Sequence, residues 1–130
     1  MSKHEGIERR DYPRVKADFP VKFADKESDA MAHAENISCS GVCCIVNKFI
    51  PLYTKLLLVL FIPVAKAKEI VEERVKCEGV IVRIEEIGRE EKESAYHVAI
   101  FFSGIRESDR EKIARYVEKR LRRPQIQQDG

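Results

Sequence analysis

The chain has 130 residues, which is the length of a single domain. Its 24 lysines and arginines nearly balance 22 aspartates and glutamates, for a formal net charge of +2, whereas general duplex-binding proteins usually carry a stronger basic field. The first residues form no apolar signal core, and the longest apolar run, residues 56–62, is far shorter than the ~20 residues of a membrane helix. We therefore expect a cytoplasmic protein that does not insert into a membrane.

The N-terminal segment, residues 1–13, is polar and charged and is predicted to be an arm that is mobile when free. Pro13 favours an extended entry into the domain that follows. That domain is predicted over residues 14–123, and the polar tail, residues 124–130, is predicted to be disordered.

The domain begins with alternating apolar residues, which predict a half-buried strand over residues 15–23. Pro20 within it suggests a sheet edge or a bulge. Five further strands are predicted, over residues 30–37, 41–46, 55–62, 69–87 and 95–102.

The fourth and fifth predicted strands have special features. Residues 55–62 are apolar on both faces, so we expect a strand covered on both sides that ends at Pro63. In residues 69–87 the apolar face is predicted to change at a bulge or bend near Gly79, from Cys77 to Val80 and Val82. Many short strands with turn signals are typical of a small barrel or sandwich.

A helix is predicted over residues 109–122. Ser108 and Glu111 have the spacing of a capping box, and Pro124 is expected to stop the helix. Four apolar residues share one face at helical spacing: Ile113, Tyr116, Val117 and Leu121. A basic cluster lies near its end: Lys119, Arg120, Arg122 and Arg123.

Two motifs suggest a binding function. The first is Arg10 and Arg14 on the arm, an RxxxR spacing preceded by Arg9. A guanidinium forks onto phosphate oxygens, stacks on a base, or bonds the O6 and N7 edge of guanine. Solvated charges on a tail are the simpler interpretation of this motif when it is taken alone.

The second motif is Asn36, Ser38 and Gly41, at the entry to the third predicted strand. Asn36 offers a donor and an acceptor to a base edge, and Ser38 offers a hydroxyl to a phosphate. The same residue types commonly form a simple turn. We expect both, with a turn that presents two side chains and Gly41 allowing a tight turn or a close approach to the ligand.

In this order, the two motifs resemble the RxxxR and (D/N)xSxxG signature of PilZ domains, bacterial receptors for cyclic di-GMP. The resemblance spans residues 8–121. It includes a segment from Gly79 to Arg83 that is similar to the family's Gly-x-V-x-R strand and the last strand near His97, with Ala99 where the family often has Gly. It implies a mainly β fold, a six-stranded antiparallel β-barrel followed by a helix.

The resemblance also implies the ligand and its site. Arg10 and Arg14 would grip phosphate and guanine, Asn36 and Ser38 would bind guanine and phosphate, and Gly41 would shape the turn. A basic residue at the position of Arg9 accompanies binding of two stacked ligands in that family. No cofactor is implied besides the ligand cyclic di-GMP. With no output domain expected, the signal would pass to an unidentified downstream protein as the arm becomes ordered.

Other functions remain open. One is a PilZ-like protein–protein interaction module that binds no nucleotide. Another is a barrel for single-stranded nucleic acid, although only Tyr12, Phe19 and Phe23 approach the aromatic pattern that such a barrel needs.

Catalysis and metal binding are not expected. His33, Glu35, Ser38 and Cys39 lie close in sequence, but neighbouring strand residues alternate faces and no nucleophile elbow is visible. The four cysteines lack CxxC spacing and are predicted to be small buried apolar residues rather than a disulfide framework.

Overall fold

The computed structural model describes residues 12–24, 29–87 and 95–129, with side chains as far as Arg122. In this part of the chain, six antiparallel strands close into a barrel in the order β1-β2-β3-β6-β5-β4. The strands are β1 (Val15–Ala24), β2 (Asp29–Ser38), β3 (Gly41–Val46), β4 (Lys55–Lys66), β5 (Glu69–Ile87) and β6 (Ala95–Ile105). The predicted six-stranded antiparallel barrel is confirmed.

The barrel core follows from the alternation of apolar residues. In β1 every second side chain is buried, and Phe19, Val21 and Phe23 are at most 1% exposed. Pro20 lies where β1 pairs with β2 but not yet with β4, since the β1–β4 ladder begins at Val21. A proline is tolerated there because one side of the strand has no ladder partner.

A helix, α1 (Glu107–Asp129), follows the last strand and packs on β1. Ile113, Tyr116 and Val117 are buried as predicted, and the ring of Tyr116 meets that of Phe19 edge to face at 5.5 Å. Leu121 is 43% exposed, so the buried stripe ends one turn earlier than predicted.

The predicted bounds of the helix were wrong at both ends. The Arg110 amide donates to the Arg106 carbonyl at 2.9 Å, so α1 starts at Glu107, and Ser108 lies inside the helix rather than at its N-cap. α1 also continues past Pro124 to Asp129, through residues predicted to be disordered. A proline removes one backbone donor, but extending an existing helix costs far less than starting one. Among the described residues, no helix is long and apolar enough to cross a membrane.

Strand β4 also differs from the prediction. It runs to Lys66, with Pro63 paired to Glu72 of β5, whereas its ladder with β1 spans only Leu57 to Leu60. Pro63 therefore sits where one side of β4 has no strand partner, and the ladder can continue. The outer face of β4 is not covered, because Leu57 is 57% exposed.

The bulge predicted near Gly79 exists, but its effect differs. The extra residue is on β6, between Gly104 and Phe102, so β5 keeps its alternation and Ile81 rather than Val80 is fully buried. A second bulge places Val82 as the extra residue on β5, and Val82 is 46% exposed. The apolar face of β5 thus changes after Ile81. The turn between β5 and β6 lies outside the described residues.

Candidate functional site

The site forms where the end of β2, the start of β3 and the residue preceding β1 meet. Strand β2 pairs with β3 through Ala34↔Cys44 and then Asn36↔Cys43, which leaves Glu35 as an extra residue on β2. This bulge moves the inward face from Ala34 to Ile37. Without it, the period of two would turn Asn36 into the barrel, so the bulge places this side chain on the outer surface.

The Arg14 guanidinium joins three side chains of that surface. Its Nε donates to Asn36 Oδ1 at 3.1 Å, its Nη1 to Ser38 Oγ at 3.3 Å, and its Nη2 lies 3.7 Å from Cys43 Sγ. Arg14 itself is exposed, directly before β1, whose Lys16 is paired opposite Asn36. One cluster therefore contains Arg14 from the first motif and both Asn36 and Ser38 from the second motif.

Ser38 also holds the turn that follows it. Its hydroxyl accepts a hydrogen bond from the Ser40 amide at 3.1 Å, and the two serine hydroxyls are 3.1 Å apart. Ser38 is only 1% exposed. The Phe102 amide donates to the Ser40 carbonyl at 3.0 Å, and Arg110 Nη1 donates to the Cys39 carbonyl at 3.4 Å. The turn expected from this motif is present, and β6 and α1 both fix its position.

Gly41 is buried and is required by the neighbouring strand. A Cβ at this position would lie 2.3 Å from the Ile100 carbonyl oxygen of β6. No glycine among the described residues has a positive φ, so the absence of a side chain, rather than an unusual backbone angle, is what Gly41 supplies. We expected Gly41 to allow a tight turn or a close approach to the ligand, whereas the close approach in the structure is to the backbone of β6.

The structure thus brings together Arg14, Asn36 and Ser38, with Gly41 beneath them. Arg9 and Arg10 lie outside the described residues. Sequence reasoning missed Cys43 and Ser40 as neighbours of the cluster. A signal for Cys43 existed, because a two-residue hairpin loop after Ser38 pairs Cys43 with Asn36.

Two thiols outside this cluster, those of Cys44 and Cys77, are shielded from water. Burial raises the pKa of Cys77 to about 12 and raises the pKa of Cys44 further. Both thiols therefore stay protonated near neutral pH and pack as small apolar side chains, which confirms the prediction for these two cysteines, whereas Cys39 and Cys43 are only partly buried. Burial also raises the pKa of Cys39, although Arg110 opposes that shift. Within the described residues, no group of three or more potential ligands could hold a metal ion.

The two described histidines that line the outer face pair with carboxylates. His33 contacts Asp18, and His97 Nε2 lies 2.8 Å from Glu35 Oε1. Both histidines are exposed. Chemically, the cluster around Arg14 offers a cation, an amide and hydroxyls, which are groups that bind an anion with hydrogen-bonding edges.

Comparison with known proteins identifies the family of this chain. The family model described as PilZ domain matches residues 8–119. No curated protein matched the sequence significantly.

Several solved structures share the fold. The inhibitor of motility MotI/DgrA of Bacillus subtilis is 21% identical with a TM-score of 0.71, over 87% of this chain and 51% of that chain. The PilZ domain of YcgR from Escherichia coli, solved with c-di-GMP, is 11% identical with a TM-score of 0.65, over 93% of this chain and 98% of that chain. MrkH of K. pneumonia in its apo state is 17% identical with a TM-score of 0.71, over 89% of this chain and 52% of that chain.

This chain therefore spans about half the length of the MotI and MrkH chains that it resembles. At these identities the structural likeness establishes the fold, and the family model establishes the relationship. The chain belongs to the PilZ domain family.

Proposed function

We propose that this chain is a non-catalytic receptor for cyclic di-GMP. The site would comprise Arg9, Arg10, Arg14, Asn36 and Ser38, with Gly41 shaping the turn beneath them. The main support is the Arg14 guanidinium, which bonds both Asn36 and Ser38. These bonds link the two motifs, which are separated by more than twenty residues in the sequence.

The contacts explain how the site would work. Asn36 Oδ1 accepts from Arg14 and leaves its amide nitrogen for a guanine edge. Because Arg14 is exposed, its guanidinium face is open to a base and its outer N–H groups to a phosphate. Asn36 and Ser38 lie in β2 and are paired with β3, so ladder hydrogen bonds position them before any ligand binds, which reduces the ordering cost of binding.

The comparison supports the class of ligand. The YcgR PilZ domain was solved with c-di-GMP and aligns with almost the whole of this chain. A nucleotide-independent interaction module is the competing function, and a titration separates the two.

The titration also reports stoichiometry. We expect calorimetry to show binding of cyclic di-GMP and none of GMP at equal concentration, with two ligands per chain. Two stacked ligands bring four phosphate charges together, and Arg9 would offset their repulsion. Arg9→Leu should shift the ratio towards one ligand and retain binding. An endpoint of one ligand for the parent chain would contradict the role of Arg9, and no binding at all would favour the interaction module.

We further propose that the signal passes through ordering of the arm. Its polar composition offers little apolar surface to pack, so the ligand's phosphates would supply the contacts that hold it. We expect amide hydrogen exchange in residues 5–14 to slow markedly on addition of cyclic di-GMP. Strand β3 serves as an internal reference, because its ladders with β2 and β6 should protect it in both states. Equal exchange of the arm with and without ligand would reject the ordering mechanism.

A further inference from the structure

A second surface, on the opposite side of β1 from β2, has a different chemistry. A cleft of about 620 Å³ lies between α1 and the adjoining ends of β4 and β5. We call it the cationic cleft, because six basic residues line it: Lys66, Lys112, Arg115, Lys119, Arg120 and Arg122. Only Asp18 and Glu73 oppose them among its lining residues.

Both carboxylates of the cleft already have partners. Glu73 pairs with Lys66 at 3.1 Å, and Asp18 contacts His33. Within the described part of the chain, no carboxylate lies within ion-pairing distance of Arg115, Lys119 or Arg122, whereas Lys112 pairs with Asp109 at 3.6 Å. The cleft therefore has an uncompensated positive charge.

These cations are arranged along one line. Lys112, Arg115, Lys119 and Arg122 are spaced by three, four and three residues, which places them on one stripe of α1. The stripe is about 15 Å long at the helical rise of ~1.5 Å per residue. This stripe of cations runs beside the buried apolar stripe of α1, which packs on the barrel. The packing therefore fixes the side of α1 on which the cations lie.

Apolar residues also line the cleft: Val64, Ile70 and Tyr116, of which Ile70 is 75% exposed. The ring of Tyr116 contacts Phe19 edge to face, and the guanidinium carbon of Arg120 lies 5.6 Å from the centroid of the Tyr116 ring. Exposed apolar side chains beside a row of cations suit a ligand that has apolar side chains on one face and carboxylates on another.

We propose that the cationic cleft binds an acidic segment of a partner protein, whose apolar side chains contact Ile70 and Tyr116 and whose carboxylates pair with the stripe on α1. The identification of this partner with the downstream protein of the signal rests on the proposed function. Binding of the acidic segment itself does not depend on that function.

The surface is also connected to the nucleotide site. Arg120 Nε donates to the Lys16 carbonyl at 3.1 Å, and Lys16 lies in β1 two residues beyond Arg14. Asp18 of β1 lines the cleft, and Lys16 is paired with Asn36. The two sites therefore share the first half of β1.

The shape favours a peptide over other polyanions. Duplex DNA presents phosphates and no apolar side chains, so it would leave the exposed Ile70 without an apolar contact. A lipid surface is contacted by the exposed apolar face of an amphipathic helix, whereas this site is a cleft between a helix and two strands. A recess of this volume instead lies in the range that encloses small ligands or a few side chains. We therefore treat DNA and lipid binding as outcomes of the test.

The probe is a fluorescein-labelled synthetic peptide that alternates pairs of Glu and Leu, followed by anisotropy in low salt without nucleotide. We expect saturable binding by the full chain. The same peptide with Lys for Glu, or with Ser for Leu, should bind at least ten-fold more weakly. The double substitution Lys119→Glu with Arg122→Glu, and separately Ile70→Ser, should each weaken the parent peptide by about ten-fold or more.

The matched control is Lys55→Glu, which reverses an exposed charge at the opposite end of β4 and should leave peptide binding unchanged. Unchanged thermal midpoints, and unchanged cyclic di-GMP titrations wherever the parent binds it, would show that the variants are folded. The proposal is overturned if the parent peptide does not bind, or if the Ser-for-Leu peptide binds equally well. It is also overturned if duplex DNA or phosphatidylglycerol vesicles bind the parent chain more tightly than the peptide does and lose affinity in the same variants.

Discussion

Arg14→Ala is expected to lower the affinity for cyclic di-GMP by about ten-fold or more, as is Arg10→Ala. Each substitution removes at least one charge-assisted hydrogen bond, worth roughly 1.5–3 kcal/mol. For Arg14 there is a further loss, because its guanidinium also joins Asn36 to Ser38 on the outer face of the barrel. Calorimetric titration of each variant measures the effect.

Two comparisons sharpen this prediction. Arg14→Lys keeps the charge but cannot bond Asn36 and Ser38 together, so it should also weaken binding. Arg115→Ala removes another exposed arginine, on α1 and away from the site, and should bind like the parent chain. If Arg10→Ala and Arg14→Ala both matched the parent, the site assignment would be wrong.

Ser38→Ala should weaken cyclic di-GMP binding less than the arginine substitutions, because it removes a neutral hydroxyl. Its effect on folding is a separate matter. The hydroxyl accepts from the Ser40 amide in a position that is 1% exposed. The same titration, with a thermal melt alongside, separates these two effects.

Gly41→Ala is expected to destabilise the fold by roughly 2–3 kcal/mol or more, the upper part of the range for overpacking. The added Cβ would lie 2.3 Å from the Ile100 carbonyl oxygen and 3.5 Å from the Phe101 Cα, both backbone atoms of β6. Strand β6 would have to move away from β3, which weakens the ladder that closes the barrel. A fall of about 10 °C in the thermal midpoint is the expected result.

Gly104→Ala is the matched control. A Cβ at that position meets the end of the Glu78 side chain at 3.0 Å, and the next atoms lie at 3.5 Å. Because a carboxylate tip can rotate away, this variant should stay within about 1 kcal/mol of the parent. Similar midpoints for the two alanine variants would show that β6 does not need the glycine at position 41.

Much of the fold was determined locally by the sequence. The alternation of apolar residues predicted the buried face of β1, and the bounds of β3 and β5 were those of the predicted strands. Both motifs are also local, and the prediction of an anionic ligand came from the type and spacing of residues such as Arg14, Asn36 and Ser38. The closed barrel itself was expected from the family resemblance rather than from periodicity.

Only the tertiary structure decided where these residues point. The bulge at Glu35 turns Asn36 outward, and the bulge at Val82 changes the face of β5. Likewise, the need for Gly41 depends on Ile100 of β6, and Pro63 is accommodated because β4 lacks a partner on one side there. Bulges and strand partners are set by pairing between segments far apart in the chain, and a period read from one segment contains no information about its neighbour's register.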